Sequence, residues 1–344
     1  MKQKTILLVT ILPILIIVGL WSLSEMKASR DNGFQRKKSY LLLAPSHILQ
    51  CSQPIKEVAA ITNSFAYITT LSPGQIIVTD HNGIEKQVMR LNVDSIDFQE
   101  TAIDFPDAYI IGGNKLTVYK CNLETQTSQK LHPPGPMLTR IASLGNGKFV
   151  FRQFKNGIRD QVFTRYNVRS NSFHSSKLLP QSFNDGGVIT DGMLHYDSVT
   201  NRILYVYFRR GVFECLDTAL NLLSSYKTID TFSTFQNTSA RIKQRYSFLS
   251  FTSHDPAKFI NYSSCCADGL LYVFSMARAD NEKPEYLSKN MPIDVYAIKN
   301  GKYLGSFYLP MIAHEKIQSL KVLGNLLIAV YYTQVGYYKI PSFS

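Results

Sequence analysis

The feature that most constrains the fold is a run of short β-segments between Thr190 and Asp230, separated by turn residues. Ile203–Phe208 is apolar, aromatic and β-branched without a break, which is typical of a strand buried on both faces. Asp191-Gly192 and Arg209-Arg210-Gly211 are turn signals on either side of it. The stretch therefore predicts four strands in about 40 residues, the pattern of one β-propeller blade. The four predicted strands are Met193–Tyr196, Ile203–Phe208, Val212–Leu216 and Leu222–Ile229.

Looser versions of this pattern recur before and after that stretch. Two examples are GQIIVTDHNG, which is Gly74–Gly83, and GLLYVFSMA, which is Gly269–Ala277. The other predicted strands, unit by unit, are Phe65–Thr70, Gln75–Asp80 and Ile84–Leu91; Ala108–Ile111, Lys115–Asn122 and Thr127–Leu131; Arg140–Leu144, Lys148–Phe154, Gln161–Val168 and Ser172–Leu179; Phe259–Ser264, Gly269–Ala277, Ile293–Lys299 and Tyr303–Leu309; Ile317–Leu323, Leu326–Thr333 and Gly336–Ile340.

The two ends of this array are predicted to meet. The last unit has three strands, and Ser39–Leu49 is a predicted strand without a neighbour, so pairing the two would close a ring and remove exposed sheet edges. Residues 39–344 are thus predicted to be an all-β domain, a β-propeller of six blades, with seven or eight as alternatives. The repeated order of Gly/Asn turn, apolar strand, turn and strand resembles that of bacterial six-bladed propellers loosely called TolB-like or NHL-like.

The N-terminus predicts a membrane segment. Residues 1–24 place two lysines before an uncharged apolar run, Ile6–Leu23, long enough for a hydrocarbon core of about 30 Å. We predict an uncleaved N-terminal transmembrane helix acting as a signal anchor; a cleavable signal peptide ending at Ser22-Leu23-Ser24 is the alternative. Residues 25–38 are predicted to be a basic juxtamembrane stalk, which could also touch anionic headgroups.

The charge pattern bears on location and partners. A lysine-flanked N-terminal segment usually exports the domain after it, so we expect a single-pass protein of the cell inner membrane with its body in the periplasm or outside the cell. A strict count of the basic residues after the segment would place the body inside, and cleavage would give a secreted form. The net charge is +12, but its basic residues are scattered, which favours a solvated surface over nucleic-acid binding.

Five cysteines are present, and the adjacent pair Cys265-Cys266 is the sharpest chemical feature of the predicted body. Adjacent cysteines can close a strained disulfide, and strained disulfides are the easily reduced, functional kind. The pair resembles one in some quinone-dependent propeller dehydrogenases, although those enzymes also rely on tryptophan-containing motifs and the only tryptophan here is Trp21. We expect two reduced or separately packed thiols, with a redox site as the alternative. Cys121 and Cys215 fall on predicted strands and are expected to be buried.

The seven histidines are dispersed along the chain. His254-Asp255 lies in the long connection before the fifth predicted blade, where a catalytic pair facing the channel is the alternative to a solvated loop. His195 has no expected partner, and its blade is predicted to contribute to the fold and not to catalysis. No nucleophile elbow, phosphate-binding loop or zinc-ligand spacing occurs in the sequence, so no cofactor and no metal site are predicted.

Two functions of different classes are compatible with these observations. The first is a non-catalytic binding or scaffold module, tethered to a membrane, that meets an unidentified protein partner through its channel-mouth loops. The face predicted for that partner carries Phe183–Gly187, His254–Lys258 and Arg278–Asn290. The second is a periplasmic propeller enzyme, either redox through Cys265-Cys266 or a lyase or hydrolase that uses channel His and Asp residues.

Overall fold

The chain folds as a ring of antiparallel β-sheets. A computed structural model describes residues 15–19, 32–37, 41–94, 96, 99–112, 116–131, 138–155, 158–178, 183, 185–234, 240–245, 248–253 and 259–343. Within these ranges the strands form six four-stranded sheets, each of them one blade of a β-propeller. The prediction of an all-β propeller with six blades is therefore confirmed.

The strands are numbered in chain order and grouped by blade. Blade one is β2 (Ile55–Ile61), β3 (Phe65–Thr70), β4 (Gln75–Asp80) and β5 (Glu85–Arg90); blade two is β6 (Gln99–Asp104), β7 (Asp107–Gly112), β8 (Thr117–Asn122) and β9 (Thr127–Leu131); blade three is β10 (Leu138–Gly145), β11 (Lys148–Lys155), β12 (Ile158–Asn167) and β13 (Ser172–Leu178). Blade four is β14 (Gly192–Asp197), β15 (Arg202–Tyr207), β16 (Val212–Leu216) and β17 (Leu222–Lys227); blade five is β20 (Asn261–Ala267), β21 (Leu270–Ser275), β22 (Asn290–Ala297) and β23 (Tyr303–Pro310); blade six is β24 (Ser319–Leu323), β25 (Leu326–Val330), β26 (Gln334–Lys339) and β1 (His47–Gln50). A hairpin, β18 (Ala240–Arg245) and β19 (Phe248–Ser253), lies between blades four and five in the chain, and a short helix, α1 (Pro284–Leu287), connects β21 to β22.

Blade four matches the four strands predicted for it. Every residue from Ile203 to Tyr207 in β15 is buried, because alternate side chains of a strand point to opposite faces and each face meets another blade. Tyr205 packs with residues of blade three, and Leu204 packs with residues of blade five. The outermost strand β17 is largely exposed, as its polar sequence predicted. The core thus consists of layers between blades, one for each pair of neighbours.

The innermost strands of blades one and two were missing from the predicted set. β2 and β6 supply them, where the sequence predicted only three strands in each blade. Both strands carry charged side chains that line the centre of the ring, among them Lys56, Glu57 and Glu100. Because charged and small residues interrupt both sequences, IKEVAAI and QETAID, neither strand shows the apolar run by which the other strands are recognised.

The ring closes by pairing the two ends of the chain. β1 runs antiparallel to β26, with His47 opposite Tyr337 and Gln50 opposite Gln334. Closure through the predicted strand at Ser39–Leu49 is therefore confirmed, although the observed strand is shorter and lies nearer its C-terminal end. Blade six contacts blade five on one side and blade one on the other, since β24 contacts both β20 and β2.

The predicted stalk, residues 25–38, differs from the structure at residues 32–37, which pack onto blade five. Arg36 is 2% exposed, and its guanidinium donates to Asp294 at 2.8 Å and to Glu282. The chain then follows β23, where the Tyr308 amide donates to the Leu41 carbonyl at 2.8 Å. A charged side chain buried against two carboxylates can only be satisfied in a fixed position, so this part of the segment belongs to the propeller body.

The predicted membrane segment lies mostly outside the described residues. Residues 15–19 are helical. Within the ranges that the structure describes, no helix combines the length and the apolar character required to cross a bilayer. The transmembrane helix over residues 1–24 therefore stays a prediction.

Candidate functional site

A central channel of about 600 Å³ runs through the ring. Its wall consists of the innermost strands of the blades, β2, β6, β10, β14, β20 and β24, each of which contacts the next around the ring. These strands turn their inner edges to the axis, and consecutive residues along each of them line the channel, so these residues determine what it can hold. Several of them are charged or polar, which is unusual for residues inside a protein unless they are paired or reach water.

One side of the channel carries a group of interacting charges. The Lys56 ammonium lies 3.4 Å from Glu57 and 3.8 Å from Glu100. Burial raises the pKa of Glu100 to about 7, against the opposing effect of Lys56. The pKa of Glu100 is therefore shifted towards neutral pH, so the charge of this wall depends on pH.

The opposite side carries His195, whose Nε2 lies 2.7 Å from the Ser264 hydroxyl. Ser264 also approaches the Met193 sulfur at 3.2 Å. Burial lowers the pKa of His195 to about 3, and the positive charge of Lys321 acts in the same direction. The imidazole is thus neutral at physiological pH. The interpretation of His195 as unpartnered is therefore wrong. The contact could not be predicted, because sequence alone does not show that β14 and β20 are neighbours around the ring.

At one end the channel opens into a second cavity of about 580 Å³, which we call the mouth. Arg140, Phe208, Tyr262 and Gln318 line both cavities. The ring of Phe259 forms edge-on pairs with Phe208 at 5.7 Å and with Tyr262 at 6.0 Å between ring centroids. These three rings form one apolar side of the mouth, and such rings supply large contact areas for a ligand.

The turn Phe208–Gly211, between β15 and β16, is anchored by residues at the start of blade five. The Asn261 side-chain amide donates to the carbonyls of Tyr207 at 2.9 Å and Arg210 at 3.1 Å, and the Ile260 amide donates to Phe208 at 2.7 Å. Gly211 lies so close to the Asp230 carboxylate that a Cβ there would overlap it. The predicted turn signal Arg209-Arg210-Gly211 is therefore a rigid element of the site.

The adjacent cysteines do not form a disulfide, and all five cysteines of the chain are free thiols. Cys265 belongs to the core between blades five and six, whereas Cys266 packs against the core between blades four and five. Burial raises the pKa of Cys266 to about 12 and that of Cys265 well above its ordinary value. Both stay protonated at neutral pH, and the thiol form is a weak nucleophile. Cys121 and Cys215 are fully buried, as expected.

The other predicted site residues are spread over several parts of the chain. His254 and Asp255 lie outside the described residues, so the structure does not test a His/Asp pair there. Of the predicted binding face, Gly186 and Gly187 line the mouth. Arg278–Asn290 contains α1 and holds the buried Arg36 through Glu282. Among the residues that the structure describes, no three His, Cys, Asp or Glu side chains gather where they could share a metal ion.

Fold and channel together define the chain as a six-bladed β-propeller with a charged axial cavity and an aromatic mouth. No protein family matches its sequence, and no curated protein matches it significantly. Among solved structures it is similar to virginiamycin B lyase from Staphylococcus aureus, with a TM-score of 0.53, 10% identity and coverage of 86% of this chain and 99% of that one. A streptogramin B lyase is similar with a TM-score of 0.51, 10% identity and coverage of 87% and 98%. The structure of U3-55K is similar with a TM-score of 0.52, 10% identity and coverage of 86% and 100%. At this identity the similarities establish the fold and nothing further.

Proposed function

We propose that the protein is a non-catalytic binding module that is held at the outer face of a cell inner membrane by residues 1–24. The propeller binds its ligand or partner at the mouth, with part of it entering the channel. The observation that carries the proposal is the pair of adjoining cavities, which share Arg140, Phe208, Tyr262 and Gln318. Concave sites of this size that place charged and polar groups beside aromatic side chains are typical of ligand binding.

Two features favour binding over chemistry. Cys265 and Cys266 pack into different cores and stay protonated, which argues against the redox alternative. The low pKa of His195 makes it a weak base, since a general base works best when its pKa lies near the working pH. Both features support recognition as the function of the channel.

The experiment uses Gln318→Trp to block the junction of the two cavities. Gln318 is exposed and lines both of them, so an indole there obstructs the passage without entering the core. We expect small molecules that raise the unfolding temperature of the wild type in a fragment screen to lose their effect on Gln318→Trp. Gln87→Trp, on the exposed outer strand β5, is the matched control and should keep those effects. Stabilisers that act equally on both variants would contradict the proposal, as would the absence of any stabiliser.

The second candidate is an acyl-transfer or hydrolytic enzyme, favoured by the 2.7 Å contact between His195 and Ser264. A serine beside a histidine is the minimal pair for a nucleophile and its base. Two of the proteins with a similar fold are lyases, which keeps an enzyme among the candidates. Labelling by a fluorophosphonate that is lost in Ser264→Ala and in His195→Gln would favour this candidate; an unlabelled wild type would favour the binding module.

A further inference from the structure

Arg209 is the one arginine of the mouth whose side chain lacks an acceptor among the described residues. It is 7% exposed, it lines the mouth, and its Nη1 has no hydrogen-bond partner there. Taking a guanidinium out of water without an acceptor is costly, so such groups are normally paired. A guanidinium that lines a cavity and has no acceptor in the described part of the protein is a binding group for a ligand that brings the acceptor.

The neighbouring arginines differ from Arg209 because they have acidic partners. Arg140 and Arg152 both contact Asp191, at 2.7 Å and 3.0 Å, and Arg210 contacts Glu214 at 3.3 Å. Among the described residues that line the mouth, the charged groups are Arg140, Asp191 and Arg209. Asp191 is shared by Arg140 and Arg152, so these three groups together keep one positive charge, and Arg209 adds another beside them. This surplus of positive charge favours an anion as the ligand.

The backbone at Arg209 is fixed before any ligand arrives. It belongs to the turn Phe208–Gly211, which Asn261 and Ile260 hold by hydrogen bonds to the backbone on either side of it. A buried side chain on a fixed backbone has little conformational entropy left to lose on binding, so more of the interaction appears as affinity. The apolar side of the mouth, formed by Phe208, Phe259 and Tyr262, faces the same cavity.

We propose that the mouth binds a carboxylate attached to an aromatic or branched apolar group. The Arg209 guanidinium donates to the carboxylate, and the apolar group packs on the three aromatic rings. This inference rests on the proposed binding function and names the class of its ligand. Both a free acid and the C-terminal end of a peptide present this chemistry.

The test compares two probes that differ only in charge, N-acetyl-L-phenylalanine and N-acetyl-L-phenylalaninamide. A charge-assisted hydrogen bond is worth about 1.5–3 kcal/mol, so we expect the acid to bind the wild type roughly 10- to 100-fold more tightly than the amide. Arg209→Gln should bring the affinity of the acid down to that of the amide and leave the amide unchanged. Arg169→Gln, an exposed arginine on the turn between β12 and β13, is the control and should preserve the difference. Calorimetric titration measures all of these affinities.

Three outcomes would overturn the inference: equal affinity of acid and amide for the wild type, an acid preference that survives Arg209→Gln, or no binding of either probe. Equal affinities that are both lost in Gln318→Trp would refute the charge assignment while leaving the binding function standing. A third probe, N-acetyl-glycyl-glycyl-L-phenylalanine, distinguishes a free acid from the C-terminal end of a peptide as the natural ligand. Tighter binding than the single residue identifies a peptide end, and weaker binding identifies a free acid. The unfolding midpoint of ligand-free Arg209→Gln should equal or exceed that of the wild type, because the substitution removes an unsatisfied buried charge.

Discussion

His195 is a side chain whose pKa is set by its position in the channel. In solution its imidazole would be half protonated near pH 6.5. In the channel, burial lowers the pKa to about 3, and the charge of Lys321 acts in the same direction. A group with a lowered pKa stabilises the fold above its ordinary pKa, and that stability is lost as the pH falls towards the lower value. Acid should therefore weaken the ring in part by forcing a proton onto His195.

The prediction concerns the pH dependence of unfolding in His195→Gln. Between about pH 6.5 and pH 3.5 the wild type should lose more stability than the variant, by up to about 1.4 kcal/mol per pH unit. Glu100, whose pKa is raised to about 7, acts in the opposite sense, because its contribution is present at low pH and is lost as the pH rises. Glu100 contributes equally to both proteins, so its effect cancels when the free energy of unfolding of the variant is subtracted from that of the wild type. Urea titrations at several pH values measure this difference, and parallel curves would refute the assignment.

Arg36 is the second side chain with a clear consequence, since it holds the N-terminal segment on blade five. Arg36→Met should release residues 32–37, because Glu282 and Asp294 would otherwise stay buried without a counter-charge, a penalty of about 3–5 kcal/mol. The amides of Asp280 and Ser306, which donate to Phe34 and Lys37, should lose protection from hydrogen exchange. Arg169→Met, which removes an exposed arginine, should leave both amides protected. Unchanged protection in Arg36→Met would mean that the ion pairs do not hold the segment.

At the scale of elements, the sequence predicts strands well where both of their faces are buried. β15 and β21 show continuous apolar runs, and both were predicted close to their observed bounds. β2 and β6 were missed, because charged residues interrupt their sequences and leave neither an apolar run nor a regular alternation. Of the mouth, the sequence predicted only the turn residues. The neighbours of Arg209 come from strands distant in the chain, so no local pattern shows that Arg209 lacks an acidic partner. The same holds for the contact between His195 and Ser264.

The closing strand β1 is the element with the sharpest prediction. A chain that begins at Ser46 keeps β1 and loses the segment before it, whereas a chain that begins at Cys51 also loses β1. The first should remain monomeric and unfold cooperatively. The second should associate edge to edge, because the outer edge of β26 is left without its partner. Size-exclusion chromatography and thermal unfolding compare the two, and a monomeric second chain of equal stability would contradict the role of β1 in closure.

At the scale of the whole molecule, the membrane proposal predicts how the protein fractionates. The full chain should stay with membranes after alkaline carbonate washing, because about 18 apolar residues can span a bilayer. Deleting residues 1–24 should release a folded body into the soluble fraction. Protease added to spheroplasts should digest the body of the anchored form, which the opposite orientation would protect. A full chain found in the soluble fraction, or a shortened chain still bound to membranes, would contradict the proposal.

The pairing of β1 with β26 also sets the order in which the molecule can be completed. Gln50 and Gln334, which are partners, lie 284 residues apart in the chain. At a synthesis rate of about 5–20 residues per second, roughly 15–60 s pass between the emergence of the two strands. During that time β1 waits without a partner, and the apolar faces that blades one and five later turn towards blade six are open to solvent. The newborn chain is therefore most vulnerable to aggregation just before β26 is made.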